Sequence, residues 1–262
     1  MASHIPGKLH WEQHGKHGPV MLYIHGNPYD HRLWLYQTAH FSTWFRCIAV
    51  DLPAYGRSPA AEEGLTLGDL AQACWEVVDE ISTEAVILVG NSVGGSTITF
   101  MAGQRPQQTR ALIFVGAAYL PDREFARMGG EPYRQKGIAH RREQMSGFVS
   151  PGVRGTELND YLQSIFLETN DRVNAAGVAR IFRALEEPEP EQVYDGLEAP
   201  TLVVSGTEER LHPAAQALAK RIKKAEFRPL EGGHHVANLD YPAKFDALVL
   251  DFLTRHDMLP LI

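Results

Sequence analysis

Apolar residues gather in six short runs along the chain, most of them closed by glycine, proline or serine. Residues 19–26 (PVMLYIHG) finish at Gly26, 45–52 (FRCIAVDL) stop ahead of Pro53, and 84–91 (EAVILVGN) lead into Ser92. The runs at 111–117 (ALIFVGA) and 201–206 (TLVVSG) repeat the pattern, and 224–232 (KAEFRPLEG) is a last, more mixed one. Unbroken Val, Ile and Leu without polar alternation predicts strands covered on both faces. Between the second and third runs, Leu67, Leu70, Cys74, Val78 and Ile81 recur every three or four residues, which predicts a helix starting near Thr66. A closing helix has Asp240 near its cap position, Pro242 in its first turn, and Phe245, Leu248, Phe252 and Leu253 on one face. Strands alternating with helices in this way specify an α/β fold, a mostly parallel sheet flanked by helices.

The strand rhythm lapses between Pro121 and about Ala199. Helical spacing replaces it, at Leu158, Tyr161, Leu162 and Ile165 and again at Val178, Ile181, Phe182 and Leu185. This predicts a helical cap over 121–199 inserted into a core made of 1–120 and 200–262. Its exit, EEPEPE at 186–191, combines two prolines with four carboxylates and reads as an extended connector.

Composition narrows the function. The chain has 262 residues, enough for one sizeable core, and a formal net charge of −7, so no cationic excess exists to hold a nucleic-acid backbone. Its two cysteines, Cys47 and Cys74, form no CxxC and cannot build a disulfide framework, which suits a reducing, cytoplasmic setting. The first eighteen residues are polar, without a secretory pattern, and no apolar run approaches the roughly 18 residues that cross a bilayer. The sequence sets no oligomeric state.

Candidate chemistry begins at Gly90-Asn91-Ser92-Val93-Gly94, where a buried strand meets a helix. A serine on so tight a turn needs small neighbours at ±2, and Gly-x-Ser-x-Gly arises by chance only about 0.08 times in a chain of this composition. The plainer alternative is a glycine-rich turn that packs closely or cradles a phosphate. A serine hydroxyl is a weak nucleophile at neutral pH, so it needs a base and that base an orienting carboxylate. Glu209 follows the strand TLVVSG, and His234 and His235 follow the last strand. The order serine, acid, histidine lets each residue occupy a loop at the carboxyl end of a successive strand.

These features resemble the α/β-hydrolase superfamily, in its serine-nucleophile, esterase- and lactonase-like branch, over residues 19 to 253. His25-Gly26-Asn27-Pro28, with Trp34 beyond it, is similar to the family's His-Gly-x-Pro oxyanion loop. Asp51-Leu52-Pro53-Ala54-Tyr55-Gly56-Arg57-Ser58 resembles Asp-x-Pro-Gly-x-Gly-x-Ser, with Ala54 in place of a glycine. His235 followed by Asp240 and Pro242 resembles the terminal pattern of catalytic histidine, acid and proline, and that spacing selects His235 over His234 as the base. The resemblance implies a cap inserted after the sixth strand. It also implies Glu209 as the orienting acid, in the Gly206-x-x-acid register where relatives usually carry aspartate. Asp122 is the alternative acid, and Glu208 reads as a solvated neighbour.

An oxyanion formed in acyl transfer needs two fixed donors, and the backbone N–H groups of Asn27 and Val93 fit that need. The Asn27 side-chain amide is a further donor, and His25 reads as a brace for the loop. His10, His14 and His17 cluster in sequence without a carboxylate or thiolate at ligand spacing, so no metal site is read there. No dinucleotide fingerprint follows the first strand, and cofactor-free chemistry is expected. Dehalogenases and epoxide hydrolases of this superfamily carry aspartate at the nucleophile position, so Ser92 points instead to hydrolysis of a small-molecule ester or lactone. Gly90-Asn91-Ser92 followed by Val93-Gly94-Gly95 also resembles the turn of C–C bond hydrolases acting on ring-fission products. A hydroxynitrile lyase, a cofactor-free haloperoxidase or a non-catalytic ligand-binding protein are further alternatives. Tyr133, Met145, Phe148, Tyr161, Phe166 and Phe182 offer either an apolar pocket or simple core. Seven basic residues against four acidic ones over 121–155 (Arg123, Arg127, Arg134, Lys136, Arg141, Arg142 and Arg154 on the basic side) offer an entrance for acidic substrates or a solvated face.

Overall fold

The computed structural model describes residues 4–118, 124–167, 173–186 and 191–260. The chain begins with β1 (Trp11–His14) and β2 (Val20–Ile24), then α1 (Leu35–Phe41), β3 (Arg46–Val50) and α2 (Leu67–Asp79). Next come β4 (Val86–Asn91), α3 (Val93–Gln104) and β5 (Thr109–Val115). Five helices follow in succession: α4 (Glu124–Lys136), α5 (Ile138–Phe148), α6 (Glu157–Leu167), α7 (Ala175–Glu186) and α8 (Glu191–Asp195). The chain closes with β6 (Thr201–Gly206), α9 (His212–Arg221), β7 (Ala225–Leu230), α10 (Ala237–Asp240) and α11 (Pro242–Arg255).

The strands form one sheet in the order β1-β3-β2-β4-β5-β6-β7, parallel except for β1, which runs antiparallel to β3. Successive side chains leave opposite faces, and both faces are covered. Leu22, Ile24, Leu88, Leu112 and Val203 meet α2, α3, α7 and α9 on one side. Met21, Tyr23, Ile87, Ile113 and Val204 meet α11 and residues of α5 and α6 on the other. This two-sided burial is why the strands read as unbroken apolar runs.

The helix over the second crossover begins where its spacing predicts. Thr66 Oγ1 accepts from Asp69 N while the Asp69 carboxylate accepts from Thr66 N, a reciprocal cap that satisfies two orphan donors. Two expectations need correcting. The inserted helices follow the fifth strand, not the sixth, because β1 is the single strand ahead of β2 among the described residues, and the stretch before it, broken by Pro6 and by Gly7 at φ 134°, joins no strand. Asp240 does not cap α11: it ends α10, and its carboxylate accepts from Ser150 N at 2.9 Å and His234 N at 3.0 Å. The connector expected at 186–191 lies largely outside the described residues. Among the described residues no helix is long and apolar enough to cross a membrane.

Close backbone approach makes a testable contrast between two glycines. A Cβ on Gly94 would lie 2.2 Å from the Ile24 carbonyl oxygen, whereas one on Gly147, within α5, meets nothing within 4 Å. Gly94→Ala should lower unfolding free energy by about 1–3 kcal/mol or more, and Gly147→Ala should leave it unchanged or raise it by up to about 1 kcal/mol. Urea denaturation of the two variants checks both.

Candidate active site

Strand β4 ends at Asn91 and the chain turns at once into α3, with Ser92 at φ 52° and ψ −115° between them. A side chain in this left-handed region is strained and persists only where its surroundings over-determine it. They do so here by crowding. Added Cβ atoms would sit 2.4 Å from the Gly94 oxygen if placed on Gly90, and 2.7 Å from Ser92 Cβ if placed on Gly26. The Ser92 hydroxyl thus stands at the carboxyl edge of the sheet beside the first turn of α3, whose leading N–H groups have no intrahelical acceptors.

Asn91, buried beneath that turn, was not singled out from the sequence. Its Nδ2 donates to Val115 O at 3.0 Å and to His235 O at 3.2 Å, tying the turn to the end of β5 and to the loop after β7. Gly116, at φ 56°, leaves room for this contact, since a Cβ there would lie 2.2 Å from His235 O. An amide between two glycines of a strand-to-helix turn, with a glycine following the neighbouring strand, is the sequence signal that accompanies such a clamp.

His235 and Glu209 meet on the same edge. Gly206 and Leu230 are register partners at the ends of β6 and β7, so the two following loops run side by side. Backbone bonds from Thr207 N to Leu230 O and from Glu208 N to Gly233 O fasten them. His235 Nδ1 donates to Glu209 Oε1 at 2.5 Å, and both side chains are buried. With Nδ1 committed, Nε2 is the ring nitrogen left for a proton-transfer partner. Phe148 of α5 lies against the imidazole, ring centroids 4.6 Å apart. Glu208 is exposed and borders the same cavity as Glu209 and His235, and Asp122 lies outside the described residues.

The loop after β2 carries Asn27. Tyr55 donates to Asn27 Oδ1 at 2.8 Å, and Asn27 Nδ2 donates to Gln144 Oε1 at 2.8 Å. The Tyr133 hydroxyl lies 2.9 Å from both Asn27 Oδ1 and Gln144 Oε1. The side-chain amide, read from sequence as a further donor, is therefore engaged by the inserted helices. His25 is a brace: Leu52 N donates to its Nε2 at 3.0 Å and its Nδ1 donates to Gly26 O. Burial holds its pKa below the usual imidazole range, against the pull of Asp51. Asp51 organises the next loop, accepting from His31 Nδ1 and from the backbone N–H groups of His31 and Arg57. Burial opposes its charge, yet these contacts hold its pKa down to about 2. Ala54, where the resembled motif has glycine, takes a left-handed conformation with φ 72°.

Asn27, Ser92, Glu209 and His235 line one cavity of about 450 Å3, a size suited to a small organic molecule. Val93 opens α3 directly behind Ser92. Of the aromatic and apolar residues expected at a pocket, Phe148 and Phe182 line it. Tyr133, Met145 and Phe166 are core, and Tyr161 is 61% exposed. His140, Gln144, Arg210 and His234 supply polar wall that the sequence did not single out as pocket. The basic stretch resolves partly into a solvated face: Arg134 pairs with Glu131, and Lys136 with Glu143. Arg123 lies outside the described residues, as do the side chains of Arg127, Arg141 and Arg142.

Residues 21–248 match the sequence profile of the alpha/beta hydrolase family. The chain belongs to that family. Among alpha/beta hydrolases it is 27% identical to the AB hydrolase superfamily protein YisY of Bacillus subtilis, over 90% of this chain and 92% of that protein. It is 24% identical to a 2-hydroxy-6-oxononadienedioate/2-hydroxy-6-oxononatrienedioate hydrolase of Paraburkholderia phymatum, over 94% and 91% of the two chains. The enol-lactonase from Burkholderia xenovorans superposes with a TM-score of 0.86 at 20% identity, covering 95% of this chain and 98% of its own.

The Asn91 clamp is testable as a stability element of this alpha/beta hydrolase. Asn91→Ala leaves the buried His235 carbonyl without this donor, and chemical denaturation should show a loss of about 1–3 kcal/mol.

Proposed function

We propose that the protein is a serine hydrolase that cleaves a carboxylic ester or lactone of a small organic molecule through an acyl-enzyme. The observation that carries this reading is an imidazole whose Nδ1 is committed to a buried carboxylate, lining the same cavity as a serine held on a left-handed turn. Ser92 Oγ attacks the carbonyl carbon as His235 Nε2 takes its proton, and Glu209 stabilises the imidazolium that results. The backbone N–H groups of Asn27 and Val93 hold the oxyanion. The C–O bond to the leaving alcohol breaks as His235 returns the proton to its oxygen. Water then attacks the acyl-enzyme with His235 as base, releasing the acid and restoring Ser92. The inserted helices α4, α5 and α7 act as the cap that shapes the substrate site, since Pro132, His140, Gln144, Phe148 and Phe182 line the cavity. Cys47 and Cys74 belong to core clusters on opposite faces of the sheet, both free and buried, which suits a cytoplasmic protein that forms no disulfide.

A second reading is C–C bond hydrolysis of a ring-fission product. It is favoured by the likeness to the 2-hydroxy-6-oxononadienedioate/2-hydroxy-6-oxononatrienedioate hydrolase and by the run Gly90-Asn91-Ser92-Val93-Gly94-Gly95. Both readings share the same three side chains and differ in the bond presented to them.

A fluorophosphonate probe should label wild type and not Ser92→Ala, read by mass spectrometry; an unlabelled, folded wild type removes the hydrolase reading. The labelled enzyme's substrate follows from a paired assay, in which turnover of p-nitrophenyl acetate is expected and turnover only of a vinylogous diketone acid selects the C–C reading. Glu209 tests the geometry. Glu209→Gln should lower kcat by about 10²- to 10⁴-fold with little change in KM. Glu209→Asp, whose carboxylate falls about 1.5 Å short on a loop fastened to β7, should not restore it.

A further inference from the structure

A second cluster of titratable side chains lies away from the Ser92 cavity, where β1 meets the loop after β2 and the end of β3. We infer that His10, Glu12 and His31 form a binding site for a divalent transition metal of the zinc class, with Asp51 orienting His31 from behind. His10 Nε2 and His31 Nε2 lie 3.6 Å and 3.5 Å from the same oxygen, Glu12 Oε1. Zinc bonds of about 2.0–2.2 Å to nitrogen and oxygen place tetrahedral ligand atoms roughly 3.3–3.6 Å from one another. The spacings from Glu12 Oε1 to each imidazole nitrogen therefore suit ligands sharing one ion, while being long for direct hydrogen bonds.

Two further observations point to a ligand. His10 Nε2 is buried and has no hydrogen-bond partner among the described residues, a cost that a metal bond would remove. His31 Nδ1 donates to Asp51 Oδ1 at 2.7 Å, which fixes the ring and leaves Nε2 as the lone-pair nitrogen, the carboxylate–histidine–metal arrangement found at zinc sites. Possible ligand atoms of His10, His31 and Asp51 fall within 4.8 Å of one another. The local charge favours a cation: carboxylates of Glu12, Asp30 and Asp51 stand against the guanidinium groups of Arg32 and Arg57. Arg57 Nη1 lies 3.4 Å from Glu12 Oε1 on a side chain that is 55% exposed, so a metal at Glu12 would have to displace this guanidinium. Two imidazoles and one carboxylate suit zinc, with water in the fourth position.

His10, Glu12 and His31 do not line the Ser92 cavity, so the ion acts as a staple. It fastens the four-residue edge strand β1 to the loop that leaves β2. His14 and His17, neighbours of His10 in sequence, take no part.

The test is Zn2+ titration of the metal-stripped full chain by calorimetry. One equivalent should bind to wild type and to His17→Gln, with Kd raised at least tenfold in His10→Gln and Glu12→Gln. Asp51→Asn should weaken binding about 10- to 100-fold where circular dichroism shows it folded. On the unaltered chain, one equivalent of Co2+ should develop the visible absorption of a four- or five-coordinate site. No binding to wild type, binding unchanged in both His10→Gln and Glu12→Gln, or only the weak spectrum of the six-coordinate aqueous ion overturns the assignment.

Discussion

The carboxyl edge of the sheet depends on backbone passing backbone where no side chain fits. Gly94, in the first turn of α3, sits against the carbonyls of Ile24 and His25, and Gly90 sits against Gly94 itself. These contacts leave the chain between them one course, a left-handed residue at Ser92. Strain at that residue is tolerable because β2, β4 and α3 are each anchored in the core on their own account. The serine is therefore held by the sheet on both sides, and its own backbone joins in, Ser92 N donating to Val115 O and Ser92 O accepting from Gly95 N.

Around that rigid point, polar side chains join loops that are remote in sequence. Asn91 links the serine turn to the His235 loop, Asp240 links the same loop to Ser150 after α5, and Asn27 links the β2 loop to Tyr133 and Gln144. Each linking side chain is buried, so each lost bond would leave a desolvated group behind. The arrangement divides labour. The sheet fixes where the serine is, and the clamps fix where the histidine loop and the inserted helices lie relative to it.

What the amino-acid pattern made legible follows the same division. The central strands are legible because both faces are buried, which leaves unbroken apolar runs in β2, β3, β4, β5 and β6. Helix α2 is legible from its stripe and its Thr66 cap. The motif around Ser92 is legible because steric crowding restricts residue type at fixed offsets, and a restricted residue type is what a sequence displays. Asn91, Gln144 and Ser150 were not, since each acts through a contact 90 or more residues away, and a polar residue near a glycine has many local uses. His10 shows the same limit from the other side. Its sequence suggests a cluster with His14 and His17, whereas in space it meets His31 and, behind it, Asp51, with Glu12 of β1 between them.

Glu209 shows how the two kinds of constraint interact. An extra methylene moves a carboxylate outward by about 1.5 Å, so the same histidine contact requires the backbone to stand correspondingly farther back. Here the loop is set by bonds that owe nothing to the acid: Thr207 N to Leu230 O, Glu208 N to Gly233 O, and Glu209 N to Gly206 O. A Cβ on Gly206 would lie 1.9 Å from the Gly233 oxygen, so the two loops are already in contact at their base and cannot close further. The distance left between the Glu209 backbone and the imidazole is then fixed from outside, and side-chain length is what must match it. The Glu209 oxygen lies 2.5 Å from Nδ1, so the length of this side chain and the position of its loop match at the contact.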